Sequence, residues 1–282
     1  GDLDYTVLAD TYALQYKESK QAHFVPKAMV GYLSPNHRRE ITGNEHVRKA
    51  FLQAIDKETF AKEILGDGST ALNGFVPANF AKNPDTGEDF RKENGDLLPY
   101  NIKEAQANWN KAKEELGKDK IELELISADS AIAKKTIEFV QGQLQQNLPG
   151  LTIKLKSLPL QNRLDLQTAG NYDLAFGTWT PDYADPFNFL EFYDSKSGLN
   201  TSGYNDSAYD AGLQKVRKDY ANEPEKRWNE LLSLEKTLIE KDAGVLPLFQ
   251  GAIGYLKSDR LQGLQVFSFG RTVSYRLAYV EE

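Results

Sequence analysis

Apolar residues recur along this chain with two different periods. Val47, Ala50, Phe51, Ala54 and Ile55 fall three or four positions apart, the spacing that gathers side chains on one face of a helix. This predicts a helix from Asn44 to Leu65, with Asn44 as N-cap and Gly66 and Gly68 as its stop. Ala28 to Leu33 (AMVGYL) is a short apolar run that reads as a buried strand, ended by Pro35 and Asn36. Farther on, Ile121 to Ile126 (IELELI) alternates like a half-buried strand. A helix follows from Ala131 to Leu148, stopped by Pro149-Gly150, then a strand from Leu151 to Leu155 (LTIKL). A short helix spans Leu158 to Ala169, and Tyr172 to Trp179 (YDLAFGTW) is a strand. This β-α-β-α-β order predicts an α/β fold with neighbouring strands joined by crossover helices.

Helical spacing also marks Asn101 to Leu116, Ser207 to Tyr220 and Pro224 to Lys241, and Val245 to Gln250 (VLPLFQ) reads as a late strand. Residues 5–20 suggest a short helix, residues 67–100 a long loop rich in Gly, Pro, Asn and Asp, and residues 251–282 short strands and turns. No internal repeat is visible.

Composition narrows the function classes. With 282 residues, 40% of them hydrophobic, the chain can build a sizeable core. Its net charge of −7 argues against a nucleic-acid partner, which asks for a basic excess. It has no cysteine, so disulfides and thiolate metal sites are excluded, as fits an exported protein that folds without disulfides. No apolar run approaches the roughly 20 residues that span a bilayer, and Gly1 to Tyr5 carry no signal-peptide pattern.

The motif search for enzymes is negative: there is no nucleophile elbow, zincin helix, phosphate loop or dinucleotide fingerprint. His23, His37 and His46 match no metal spacing and read as solvated surface residues. The run Asn83 to Asn94 has scattered oxygen ligands but lacks the final carboxylate of a calcium loop. No cofactor or metal is expected.

The informative stretch is Trp179-Thr180-Pro181-Asp182-Tyr183-Ala184-Asp185-Pro186, which directly follows a strand. Strand ends are where α/β sheets bind ligands. Asp185 precedes a proline and an apolar run, the pattern of a helix cap. Asp182 is not needed for that cap and stands beside two aromatic residues, where it can meet a cationic ligand group.

The run YDLAFGTWTPDYADPFNFL resembles the signature of the oligopeptide-binding (dipeptide/oligopeptide/nickel) family of extracytoplasmic solute-binding proteins of ABC importers. Further resemblances follow that family's order: YLSPNHRREITGNEHVRKAFLQAIDKETF (Tyr32 to Phe60), Gly74-Phe75-Val76-Pro77, NTSGYNDSAYD (Asn200 to Asp210) and VLPLF (Val245 to Phe249). Together they cover almost the whole chain. The resemblance implies a periplasmic-binding-protein-like (type II) lobe, a mixed sheet flanked by helices. Family members begin with a domain that this chain lacks, and Gly1-Asp2-Leu3-Asp4 resembles a step within it. On that basis residues 1–26 are a remnant of the first lobe, 27–250 the second ligand-binding lobe with its crossing segments, and 251–282 the return into the first lobe.

The resemblance further implies an oligopeptide ligand, an ABC permease as partner, a monomer, no catalysis, and a location at the cell surface through a lipid anchor or in the periplasm. Asp182 matches the acid that pairs with the peptide's α-ammonium. Thr178, Trp179 and Thr180 match the segment whose backbone meets the peptide, and Tyr183 adjoins it. Asn200 and Thr201 match a turn that lines the cleft, and Phe249 falls near a pocket aromatic. One departure is visible. Some members carry a basic residue shortly before the tryptophan, where this chain has Phe176 and Gly177; Arg163 is a candidate substitute. An oligosaccharide, a metal chelate or a signalling peptide is the alternative ligand on the same scaffold. This chain alone is expected to bind peptide weakly.

Overall fold

The computed structural model describes residues 3–8 and 11–281. In chain order its elements are β1 (Tyr5–Leu8), α1 (Thr11–Tyr16), β2 (Ala22–Pro35), α2 (Glu45–Gln53), α3 (Lys57–Thr59), β3 (Thr70–Ala71), α4 (Phe90–Asn94), α5 (Ile102–Leu116) and β4 (Ile121–Ala128). There follow α6 (Ala131–Asn147), β5 (Leu151–Leu158), α7 (Leu160–Thr168), β6 (Leu174–Trp179), α8 (Phe187–Leu190), α9 (Ser207–Gln214), α10 (Pro224–Lys236) and β7 (Leu246–Lys257). Four two-residue strands, β8 (Leu261–Gln262), β9 (Gln265–Val266), β10 (Val273–Ser274) and β11 (Tyr279–Val280), complete it.

One mixed sheet organises the chain in the order β1-β7-β2-β6-β4-β5, with β3 also on β7. β4 runs parallel to β5 and β6, as the two crossover helices α6 and α7 require. β2 runs antiparallel to both β6 and β7. The β2–β7 register jumps from Pro26↔Ala252 to Val30↔Gln250, a bulge on β2. Gln250, buried, spans this irregularity by donating to the carbonyls of Lys27 and Ala78, each at 3.0 Å.

The core lies between the sheet and its helices. Phe51 packs on Trp109, and Phe60 on Phe139 and Phe249. Beneath α10, Glu235 is fully buried. It accepts from the backbone N–H groups of Phe75 and Val76 at 2.7 and 2.8 Å, from Arg91 at 2.7 Å and from Asn94 at 2.6 Å. The Gly-Phe-Val-Pro loop is therefore pinned to α10 by a fully satisfied carboxylate.

Four expectations need correction. The helix expected from Asn44 to Leu65 is two segments. Asn44 does cap the first, but Asp56 caps a second by accepting from Thr59 N–H at 3.0 Å, so the chain restarts there. The segment expected as a helix over 5–20 begins instead with β1, whose residues pair with β7, and the 67–100 loop contains α4 and β3. Finally, His37 and His46 are not solvated. His37 is largely buried and donates from Nε2 to Gly244 O at 2.9 Å, and His46 Nδ1 lies 2.9 Å from Asn108 Oδ1. Gly1 and Asp2 of the opening motif lie outside the described residues.

Candidate ligand-binding site

β6 positions the site. On one side it pairs with β2 along its whole length, from Pro35↔Leu174 to Val30↔Trp179. On the other it pairs with β4 only at Leu174 and Ala175, after which the strands part. Residues Phe176 to Trp179 thus present an open edge. In a strand, a residue's N–H and C=O point to one side and those two residues on point the same way. The Phe176 carbonyl faces this open side, since Arg163 of α7 donates to it at 2.8 Å. The backbone of Thr178 therefore faces it too, and the Thr178 side chain is exposed.

Beyond the strand the chain turns through Thr180 to Pro186. Asp182 N–H donates to the buried Asn188 Oδ1 at 3.0 Å, which fixes the turn's backbone. Asp185 Oδ1 accepts from Phe187 N–H at 2.8 Å and from Arg227 at 3.0 Å, while its Oδ2 pairs with the other Arg227 nitrogen at 3.0 Å. Asp185 thus holds the start of α8, which begins at Phe187, and ties it to α10. The carboxylate of Asp182 is exposed and meets no donor or cation among the described residues. Asp185 is spent on structure, whereas the Asp182 carboxylate stays exposed.

Aromatic residues flank that available acid. Trp179 is half-buried, edge-on to Phe192 with centroids 5.0 Å apart, and its indole N–H is buried without a partner. Tyr183 is 42% exposed and donates to Glu191. Burial, then that bond to a carboxylate, pushes its phenol up to about 12, so it stays a neutral donor. Thr180 is exposed on the same turn.

Other expected site residues are not brought to this edge. Thr201 O accepts from Arg38 at 3.0 Å and from Tyr172, which precedes β6, at 3.4 Å; Thr201 lies at the opposite end of β6 from Asp182. Asn200 is buried and saturated. Its amide donates to the carbonyls of Tyr193, Asp194 and Tyr204, and its oxygen accepts from Ser202 at 2.8 Å. It shapes the turn and has no group left for a ligand. Phe249 is fully buried, between Phe60 and Phe176, so it is core and not wall. What sequence reasoning missed is the open edge itself. It arises because β4 parts from β6 after Ala175 while still paired with β5, which leaves no residue signature. Among the described residues no cluster of three or more His, Asp or Glu side chains is arranged to hold a metal, and no helix is long and apolar enough to cross a membrane.

Comparison with known proteins identifies the family and the fold. Residues 1–201 match the family described as bacterial extracellular solute-binding proteins, family 5 Middle. A dipeptide-binding protein of Lactococcus lactis is 29% identical over 100% of this chain and 53% of its own length. The solved structure of Listeria monocytogenes OppA bound to peptide is 36% identical, with a TM-score of 0.86 over 99% of this chain and 54% of that one. The pheromone receptor PrgZ is 35% identical, with a TM-score of 0.86 over 100% of this chain and 54% of that one. The chain thus spans about half the length of these relatives, and its fold is the type II periplasmic-binding-protein-like one. The family match covers 201 of the 282 residues and the solved relatives share the fold, so the chain belongs to the family 5 bacterial extracellular solute-binding proteins.

Proposed function

We propose that this chain is part of an extracytoplasmic protein that captures oligopeptides for an ABC importer and performs no chemistry on them. The observation that carries this is the open edge of β6 with the unpaired Asp182 carboxylate one turn beyond it. An extended peptide adds to such an edge through its backbone. Thr178 offers a donor and an acceptor that read no side chain, so affinity is broad in sequence. Asp182 receives the peptide's α-ammonium as a charge-assisted bond, worth about 1.5–3 kcal/mol. Trp179, Tyr183 and Thr180 border that end.

The relatives' greater length supports a second wall built by the rest of the parent protein. In this reading residues 27–250 form one lobe, residues 1–26 and 251–282 belong to the other, and β2 and β7 cross between them as the hinge. The parent acts as a monomer with an ABC permease as its partner. It works in the periplasm or at the cell surface, held there by a lipid at its N-terminus. Signal sensing is a second reading of the same site, supported by the likeness to a pheromone receptor.

Native mass spectrometry of the full-length protein tests the proposal. A distribution of co-purified peptides, displaced by an added hexapeptide, is the expected result. A co-purified sugar or metal chelate instead of peptide contradicts it.

A further inference from the structure

Arg163 stands on α7 with its guanidinium against β6. Nη1 donates to Phe176 O at 2.8 Å and lies 3.1 Å from where a Cβ on Gly177 would be. Glycine at 177 therefore keeps the guanidinium's seat clear, since any side chain there presses on it. Its Nε is buried without a partner. Its titratable neighbours are the neutral phenols of Tyr32 and Tyr172, with no carboxylate among them, and burial holds its pKa below the ordinary arginine value. A partly buried guanidinium without a counter-ion gains from a partner that arrives.

Beside it opens a cavity of about 340 Å³. Ala128, Ile132, Leu160 and Leu164 give it apolar walls, Thr178 joins it to the open edge of β6, and Arg163 is the only charged residue lining it. This space is larger than a bare carboxylate needs and suits one carried on an apolar stem. The planar guanidinium fork matches that group's geometry.

We propose that this cavity is a side pocket of the peptide site that takes a ligand carboxylate on an apolar stem, with Arg163 as its counter-ion. The inference rests on the peptide-binding reading above. Thr178 is four chain positions from Asp182, at most about 13 Å at 3.3 Å per extended residue, and the turn after β6 shortens that. A peptide anchored by its ammonium at Asp182 therefore brings about its third or fourth residue to the pocket. The carboxylate comes either from an acidic side chain there or from the C-terminus of a short peptide.

The test is calorimetry on the full-length protein with alanine hexapeptides carrying Glu or Gln at position 3 or 4, and with tetra-alanine as free acid or amide. Wild type is expected to prefer the carboxylate form in at least one pair by about tenfold or more. Arg163→Met is expected to abolish that preference while still binding the Gln hexapeptides, which also shows that it is folded. Loss of the Glu/Gln preference assigns the side chain, and loss of the acid/amide preference assigns the terminus. A variant that keeps the preference, or a wild type that binds these peptides without any, overturns the pocket alone. A wild type that binds none of them overturns the peptide reading as well.

Discussion

Asp185 and Arg227 grip each other through two contacts of 3.0 Å, whereas Asp182, on the same turn, has no partner among the described residues. The turn thus separates an acid that holds it from one whose carboxylate is exposed.

Stability measurements should show that separation. Asp185→Ala removes a paired contact and the Phe187 N–H acceptor, and is expected to cost about 1–2 kcal/mol in urea unfolding. Asp182→Asn touches no partner and should stay within about 0.5 kcal/mol of wild type.

The Glu235 network is expected to behave as a unit. Glu235→Leu strands the Arg91 guanidinium and the Phe75 and Val76 N–H groups in the interior, at a cost of about 3–5 kcal/mol. Arg91→Leu alone should also destabilise. The double variant should cost clearly less than the sum of the two, because the second change removes an already orphaned charge. Equilibrium denaturation of the four proteins checks the cycle.

Acid should weaken the fold through His37. Burial and the neighbouring Arg48 press its pKa down to about 4 from an ordinary 6.5, against the smaller opposing effect of its bond to Gly244 O. The unfolded chain therefore takes up the proton first as pH falls below about 6.5, and the native state follows only near 4. Stability contributed by neutral His37 is intact above 6.5, is lost between those values, and totals about 3 kcal/mol. His37→Gln should flatten that part of the pH–stability curve relative to wild type. Equal slopes in both proteins would refute the assignment.

Close packing under β2 gives a further check. A Cβ on Gly31 would lie 2.2 Å from the Phe249 ring, and that ring is locked between Phe60 and Phe176. Gly31→Ala is expected to cost at least about 1–3 kcal/mol, visible as a lower denaturation midpoint. Gly142→Ala, with nothing within 4 Å of its added carbon, should not destabilise and serves as the control.

Periodicity carried most of the fold. The β4-α6-β5-α7-β6 segment was legible because each element is long enough to repeat its pattern and ends at a turn signal such as Pro149-Gly150. The continuous helix over 44–65 was over-read because Asp56 looks like one more polar position until its side chain turns back to cap the chain. In the site, the structural role of Asp185 was legible because proline and the following apolar run mark a helix start. Asn200 and Phe249 were not. Whether an amide faces a ligand or its own turn, and whether an aromatic is wall or core, depends on neighbours far away in sequence. The same holds for the open edge, which exists because β4 departs from β6 after Ala175.

The most direct test of the central claim is a binding cycle on the full-length protein. A hexapeptide with a free N-terminus and its N-acetylated form are each titrated into wild type and Asp182→Asn. Acetylation is expected to weaken binding to wild type by about tenfold or more and to matter little for the variant. If the variant discriminates between the two peptides as strongly as wild type, Asp182 does not receive the ammonium and the account of this site is wrong.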